Sequence, residues 1–410
     1  MGNDKPPKRR RASPSTHVTC KQNNKNSEMK EIFDINKIIL ILQLCLCSLA
    51  ISAQSVELIN LIKGETQDLP NGTELSIGVL ENGKWVKVEY RLENDEFVEV
   101  KNDDKIFEIG SITKTFTASL IMKLLKEGKL ALSDPIQKYL PIQMAQDSFE
   151  EKTITVQHLI THTSGLSSGP SSFTLPYLRA LLFTPKNPNR NFKVKHYYRY
   201  LKKFELDYLP GKEWNYNNAG YGLLGEIISN VNGMSWEKSV QKNIFIPLGM
   251  RNSYFEIDKH NRDQLVVGIT AKGKKSKPWE MKFINPAGAI KSTLNDMIIY
   301  ASAQLNSSQE NLNFFKLTQD PLNFSIKMPE DKLWKGNKMG LGWWHNLEDT
   351  QNTFMWHGGS SGGYTSFVGF SKLKGKAVVI LSNISSSNPS ARAENRIPKP
   401  ILLGQKILRM

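Results

Sequence analysis

Alternating apolar and polar residues predict two pairs of strands, one towards each end of the chain. Residues 75–80 and 85–90 alternate as strands do, and Asn82-Gly83 between them is a strong hairpin signal. Residues 366–370 and 377–381 form a second predicted hairpin. Strands at both ends with helices between them predict an α+β fold: one sheet built from both ends of the chain, with a helical lobe inserted.

Helical spacing of apolar residues follows Ser111, where Leu120, Ile121 and Leu124 recur on one face. We expect this helix to end near Gly128. Residues 155–255 mix helices and loops, and a last helix covers about residues 401–408. The segment 305–340 is rich in Asn and Lys, which predicts a variable loop region.

The amino-terminal segment differs in composition from the rest of the chain. Residues 1–28 are polar and basic, which predicts a disordered tail. In residues 29–53, basic residues precede a 14-residue apolar run, 38–51, and small residues follow it. That run is shorter than the roughly 18 apolar residues of a spanning helix. A signal peptide is therefore favoured, with membrane attachment through residues 38–53 as the alternative.

We accordingly expect an exported protein, periplasmic or secreted, whose residues 55–410 form one domain with a helical lobe at about 116–284. The formal net charge of the 410 residues is +15, which favours anionic surroundings such as cell-envelope polymers. No basic stripe interleaved with aromatic residues suggests a nucleic-acid partner. All three cysteines precede residue 54, so the body offers no disulfide, cysteine ligand or cysteine nucleophile.

The first stretch with candidate chemistry is Gly110-Ser111-Ile112-Thr113-Lys114. Gly110 allows a tight turn into the helix, and residues three apart share a helix face, so Lys114 lies beside the Ser111 hydroxyl. A serine needs an adjacent base to act as a nucleophile, and a partly desolvated lysine can be that base. Alone the signal is weak, because most Ser-x-x-Lys tetrads are ordinary helix turns.

The second stretch is Tyr216-Asn217-Asn218, on a loop just before an apolar helix. A phenol can shuttle a proton if nearby cations lower its pKa, and an Asn amide can orient substrate and lysine together. The competing interpretation is a loop tyrosine that only packs its ring.

The third stretch is His357-Gly358-Gly359-Ser360, directly before a predicted strand. Glycines on an edge strand let a substrate backbone approach, and an exposed N–H there could complete an oxyanion hole with the Ser111 N–H. The competing interpretation is a flexible Gly/Ser loop with an incidental histidine.

Together the three stretches resemble the serine β-lactamase and penicillin-binding protein superfamily in its class C-like branch, whose elements are Ser-x-x-Lys, Tyr-x-Asn and Lys/His-x-Gly in this order. The stretches 159–166, 247–250 and 286–290 are also similar to that family, and the resemblance covers about residues 57–408. It implies an antiparallel sheet flanked by helices, with a site between the sheet and an all-helical lobe.

The resemblance also implies roles for the site residues. Ser111 would be the acylated nucleophile and Lys114 its base. Tyr216 would protonate the leaving group and help to activate the deacylating water, and Asn218 would bind substrate. The N–H groups of Ser111 and Ser360 would form the oxyanion hole, beside His357 and Gly359. No metal or cofactor is implied.

The chain departs from the class C pattern at His357, where a lysine is usual, and at Gly358, which has no hydroxyl. A neutral imidazole is a weaker partner for a substrate carboxylate than an ammonium group is. We expect a serine hydrolase acting on β-lactams or on amide bonds of D-amino-acid, peptidoglycan-type peptides. The alternatives are a carboxylesterase and a penicillin-binding sensor without turnover, and Tyr216 argues against the sensor.

Four other features have ordinary structural interpretations. We expect His162 to brace a loop, Lys202-Lys203 to be solvated and Asp296 to lie at a helix terminus. Trp343-Trp344 could wall the cleft or pack in the core.

Overall fold

The computed structural model describes residues 1–2, 56–169, 174–183, 191–320, 336–394 and 396–410. Residues 3–28 of the predicted tail, 1–28, and the whole predicted signal segment, 29–53, lie outside these ranges. The chain divides into two units, Met1–Asn60 and Leu61–Met410, and the features below, apart from residues 56–60, belong to the second. None of the helices in the described ranges combines the length and apolarity needed to cross a membrane.

Eight strands form one antiparallel sheet in the order β3-β2-β1-β12-β11-β10-β9-β8. The strands are β1 (Glu74–Glu81), β2 (Lys84–Glu93), β3 (Glu96–Glu99), β8 (Asn337–Met339), β9 (Trp344–Asn346), β10 (Phe354–Ser360), β11 (Thr365–Ser371) and β12 (Lys376–Ser382). Both predicted hairpins are confirmed. Asn82 and Gly83 both have positive φ, 50° and 74°, as a tight two-residue hairpin turn requires.

The centre of the sheet joins the two ends of the domain, as predicted, because β1 pairs with β12 from Leu75↔Ser382 onwards. Every residue of β11 and β12 is buried, because helices cover both faces of the sheet. On one face Gly369 packs against Leu408, from the helix of residues 399–409. On the other face Gly78 packs against Ile298, from the helix of residues 294–305.

The helices lie mostly between residue 109 and strand β8. They are α1 (residues 56–66), α2 (Thr113–Lys126), α3 (Val156–Ile160), α4 (Thr174–Phe183), α5 (Val194–Leu201), α6 (Asn218–Asn232), α7 (Trp236–Val240), α8 (Ile246–Leu248), α9 (Asn285–Gly288), α10 (Leu294–Leu305), α11 (Asn313–Leu317) and α12 (Lys399–Arg409). Two short hairpins complete the fold: β4 (Phe107–Glu108) with β7 (Lys291–Ser292), and β5 (Ser148–Phe149) with β6 (Lys152–Thr153).

The prediction of a loop throughout 305–340 is wrong for the described part of that segment, which contains α11 and β8. Two aromatic side chains account for α11. Phe315 is fully buried, with its ring centroid 5.9 Å from that of Tyr300 of α10, and Phe314 packs beside it. Residues 321–335 lie outside the described ranges.

Candidate active site

The turn that carries Ser111 precedes α2. Gly110 has φ +50°, a conformation that favours glycine, and residues 110–112 form a 3₁₀ turn that leads into the helix. Ser111 therefore lies just before the first residue of α2, and Lys114 lies in its first turn. The Ser111 side chain is partly accessible, whereas Lys114 is completely buried.

The Lys114 amine has three oxygen neighbours. Its Nζ donates to Asn218 Oδ1 at 2.8 Å and to the Ala287 carbonyl at 2.8 Å, and it lies 3.1 Å from Ser111 Oγ. A neutral amine has two N–H groups and one lone pair. With both N–H groups directed at carbonyl oxygens, the lone pair faces the serine hydroxyl.

The environment of Lys114 favours this neutral form. Burial lowers the pKa of Lys114 well below its usual 10.5, because an ammonium group loses its hydration there. The described residues show no carboxylate hydrogen-bonded to Lys114. The rings of Tyr216 and Tyr221, whose centroids lie 4.7 Å and 5.5 Å from Nζ, would attract a cation, but burial outweighs them.

Tyr216 lies two residues before α6, and the intervening Asn217 caps that helix by accepting a hydrogen bond from the Gly220 N–H at 2.9 Å. Asn218 is the first residue of α6, which directs its amide at Lys114. Burial raises the pKa of Tyr216, and the Ser111 side chain offsets only part of this rise. The condition that nearby cations lower the pKa of this phenol is therefore not met, because Lys114 is itself driven towards the neutral form.

His162 braces the Tyr216 loop, as predicted. Its Nδ1 accepts a hydrogen bond from the Asn217 N–H at 3.0 Å, and its carbonyl accepts one from the Asn215 N–H at 2.8 Å. Its ring centroid lies 4.5 Å from that of Tyr216. His162 is 1% exposed, and its φ of +60° is an uncommon backbone conformation for a residue other than glycine.

His357 lies inside β10 and is 2% exposed. Its Nδ1 is 2.7 Å from the Gly358 carbonyl, so Nδ1–H donates and Nε2 carries the lone pair. Burial, followed by the charge of Lys114, lowers the pKa of His357 to about 3. The imidazole is thus neutral at pH 7, as expected from the sequence.

The end of β10 contacts the turn that carries Ser111 through backbone atoms. A Cβ on Gly359 would lie 1.9 Å from the Ile109 carbonyl oxygen, and a Cβ on Gly110 would lie 2.7 Å from the Ser360 nitrogen. The Ser366 hydroxyl also donates to the Ile109 carbonyl at 2.8 Å. This contact brings the exposed Ser360 beside the turn that carries Ser111, where the predicted oxyanion hole requires it.

The predicted residues thus gather from α2, the start of α6 and the end of β10. Sequence reasoning missed the Ala287 carbonyl and the Ser366 hydroxyl. The stretch 286–290, which contains Ala287, is similar to the family in sequence, but a backbone acceptor has no residue signature of its own. Within the described ranges, no group of three or more His, Cys, Asp or Glu side chains is placed to hold a metal ion.

The other ordinary interpretations hold as well. Lys202 and Lys203 are exposed, and Asp296 lies in the first turn of α10, where it accepts hydrogen bonds from Asn252 and Ser253. Both tryptophans pack in the core: Trp343 is fully buried, and Trp344 is 1% exposed.

Fold and site together define a member of the serine β-lactamase and penicillin-binding protein superfamily. A sequence model of the Beta-lactamase family matches residues 71–400, and the chain belongs to this family. Proteins of this superfamily are serine hydrolases.

Curated relatives include "Protein flp" of Staphylococcus aureus strain MRSA252, which is 27% identical over 316 residues. That match covers 76% of this chain but only 59% of flp, so the chain spans about three fifths of that relative's length. A "Beta-lactamase" of Pseudomonas fluorescens is 26% identical, over 77% of this chain and 89% of its own length.

Solved structures agree on the fold. The octameric penicillin-binding protein homologue from Pyrococcus abyssi matches with a TM-score of 0.67 and 26% identity, covering 86% of this chain and 76% of its own. A class C β-lactamase matches with a TM-score of 0.68 and 22% identity, covering 87% of this chain and 98% of its own.

Proposed function

We propose that this protein is a serine hydrolase that forms an acyl-enzyme on Ser111 and acts on β-lactams or on amide bonds of peptidoglycan-type D-amino-acid peptides. The observation that carries the proposal is the arrangement around Lys114. Two carbonyl oxygens, of Asn218 and Ala287, take its N–H groups, and Ser111 Oγ lies 3.1 Å from its nitrogen. A buried neutral amine in this position is a ready base.

In the first step the Ser111 proton passes to Lys114 as Oγ attacks the substrate carbonyl carbon. The oxyanion that forms is held by the N–H groups of Ser111 and Ser360. As the intermediate collapses, Tyr216 gives its proton to the leaving group and recovers a proton from Lys114. A water molecule then attacks the acyl carbon. Its proton passes through Tyr216 and Lys114 to Ser111 Oγ as the bond between Oγ and the acyl carbon breaks, which releases the product acid and restores the enzyme.

The raised pKa of Tyr216 supports the role of proton donor, because the phenol carries its proton at neutral pH. Asn218 serves two groups, since its Oδ1 holds Lys114 and its amide nitrogen is left for substrate.

A second candidate function, a carboxylesterase, is favoured by the third element. His357 is neutral and buried, and Gly358 offers no hydroxyl. A substrate carboxylate would meet no cation from this element. The preference for carboxylated substrates over uncharged esters should therefore be smaller with a histidine at this position than with a lysine.

A substrate panel separates the two candidates: nitrocefin, a D-Ala-D-Ala peptide and a p-nitrophenyl ester, each assayed with the natural protein and with Ser111→Ala. Intact mass after incubation with a labelled penicillin or a fluorophosphonate should show one adduct. An adduct or a turnover that survives Ser111→Ala contradicts the serine mechanism for both candidates.

The substitution His357→Lys tests the role of the third element. A cation at this position should raise kcat/KM for a carboxylated cephalosporin relative to a p-nitrophenyl ester by about tenfold, for each 1.4 kcal/mol of added transition-state stabilisation. If the ratio stays flat while the protein remains folded, residue 357 does not set the carboxylate preference.

We also propose export, with removal of a segment that ends near Ala53. The proposal is supported by the order of basic, apolar and small residues in 29–53. Amino-terminal sequencing of the protein from its native host is the test, and an intact Met1 in a soluble cytoplasmic fraction would refute the proposal.

A further inference from the structure

Helix α4 carries a run of apolar side chains that face solvent. Leu175, Leu178, Leu182 and Phe183 are 61%, 50%, 76% and 79% exposed. The three leucines follow the spacing i, i+3 and i+7, which places them in one stripe along the helix. Other large exposed apolar residues in the described ranges are mostly single ones, as is usual for a protein surface.

The sequence around α4 has an unusual charge distribution. Residues 152–204 contain nine Lys or Arg and no Asp or Glu, although the whole chain has 39 acidic residues. Six of these basic residues lie in described ranges from α4 to the end of α5 and just beyond, and all six are exposed: Arg179, Lys193, Lys195, Arg199, Lys202 and Lys203. The buried face of α5 holds it in place, because Tyr197 donates to the Ser167 carbonyl at 2.8 Å.

Exposed leucines together with basic residues are the combination that binds the surface of an anionic membrane. The apolar side chains enter the boundary between headgroups and acyl chains, and Lys and Arg contact the phosphates. Arg179 is four residues after Leu175 and three before Leu182, so it lies beside the leucine stripe. Its aliphatic stem can follow the leucines while its guanidinium reaches a phosphate.

We propose that the α4–α5 segment, defined as residues 174–183 and 191–203, binds the surface of an anionic lipid bilayer, with Leu175, Leu178 and Leu182 inserted below the headgroups. A second copy of the chain fits this segment poorly, because a symmetric contact would bring together two segments that carry basic residues and contain no Asp or Glu. A bilayer of anionic lipids offers the opposite charge and the apolar depth together. This proposal does not depend on the hydrolase reaction.

The test places an environment-sensitive fluorophore on the full chain at Leu182→Cys. The control carries the label at Leu373→Cys in the β11–β12 turn, where the side chain is 65% exposed. Cys20→Ser, Cys45→Ser and Cys47→Ser remove the natural thiols in both proteins. Vesicles of phosphatidylcholine with phosphatidylglycerol are compared with vesicles of phosphatidylcholine alone.

We expect a blue shift of the label at position 182, but not at 373, on the anionic vesicles. The shift should weaken at 1 M salt, where the Debye length falls to about 3 Å. Lys202→Glu combined with Lys203→Glu should raise the lipid concentration for half-maximal shift about tenfold or more, since each cation near an anionic surface contributes about fivefold. Ester hydrolysis without vesicles should not change in this variant.

Four results would overturn the proposal. Equal shifts at 182 and 373, or no shift at either position, would show that this segment does not insert. An equal shift on neutral vesicles would exclude recognition of lipid charge. A shift without vesicles that grows with protein concentration would identify a second copy as the occupant.

Discussion

The contact between His162 and the Tyr216 loop predicts an effect on one half of the reaction. His162 Nδ1 accepts a hydrogen bond from the N–H of Asn217, a buried residue that lies between Tyr216 and Asn218 in the chain. The substitution His162→Phe keeps an aromatic ring but removes that acceptor. An unpaired buried donor costs about 1–3 kcal/mol, equivalent to roughly 5- to 150-fold if the whole cost falls on the active arrangement.

The matched variant is His162→Asn. Its Oδ1 can accept the same hydrogen bond, and asparagine tolerates the positive φ of this position better than phenylalanine does. Both variants lose the imidazole, so a difference between them reports the acceptor and the backbone conformation and not the aromatic chemistry of histidine.

The assay compares an ethyl ester with a p-nitrophenyl ester of the same acyl group. Ethoxide needs a proton in order to leave, whereas p-nitrophenolate does not, so only the first reaction depends strongly on Tyr216. In His162→Phe we expect kcat/KM for the ethyl ester to fall about tenfold further than for the p-nitrophenyl ester, within the range set by the unpaired donor. In His162→Asn the ratio should remain near that of the natural protein.

The ratio of the two esters is insensitive to stability, because both substrates meet the same folded fraction. If His162→Phe lowers both rates equally, His162 serves the fold and does not position Tyr216. If His162→Asn changes the ratio as much as His162→Phe does, the Nδ1 acceptor is not the feature that matters.

Three further predictions follow from burial and packing. The kcat/KM for an ester should fall as the pH drops through the lowered pKa of Lys114, where the amine gains a proton, and should show no fall on the basic side below about pH 10, because burial raises the pKa of Tyr216. Gly359→Ala should abolish acylation by a fluorophosphonate, because its Cβ would lie 1.9 Å from a carbonyl oxygen, whereas Gly169→Ala, with open space around it, should not. Burial lowers the pKa of His345 to about 4, so between pH 6.5 and 4 the unfolded chain binds a proton that the folded chain excludes, and the natural protein loses stability. His345→Gln lacks this group. In urea titrations, its free energy of unfolding should therefore fall by on the order of 3 kcal/mol less than that of the natural protein between neutral pH and pH 4.

Each of these predictions has a contrary outcome. A basic limb below pH 9 would place a lowered pKa on the phenol. Normal labelling of folded Gly359→Ala would mean that the end of β10 can move away from Ile109. Parallel pH–stability curves for the natural protein and His345→Gln would show that this histidine does not contribute to acid unfolding.

Local features of the fold and site could be predicted from the sequence. The β1–β2 hairpin follows from Asn82 and Gly83, whose own backbone preferences define the turn. The proximity of Ser111 and Lys114 follows from three residues of spacing across a turn that leads into a helix. Neither inference needs knowledge of the rest of the molecule.

Features that depend on how deeply a side chain is buried, or on backbone atoms distant in the sequence, could not be predicted in this way. The direction of the Tyr216 pKa depends on how deeply its loop is buried. The Ala287 carbonyl reaches Lys114 only through the packing of α9 against α2. Helix α11 was missed because Phe314 and Phe315 stand in a polar stretch and gain their helical context from α10.

The pairing of β1 with β12 has a consequence for synthesis of the chain. Strand β1 is the first strand of the described sheet to be synthesised, but its partner β12 is the last, since Leu75 pairs with Ser382. Until then β1 can pair only with β2, and its other edge stays open to wrong partners. Ser111 also waits for Gly359 and Ser360, which are made almost as late. Under the proposed mechanism, the nascent chain would therefore carry Ser111 through the synthesis of most of the sheet without the strand that would complete the oxyanion hole, so the order of synthesis would itself delay hydrolysis until the sheet has closed.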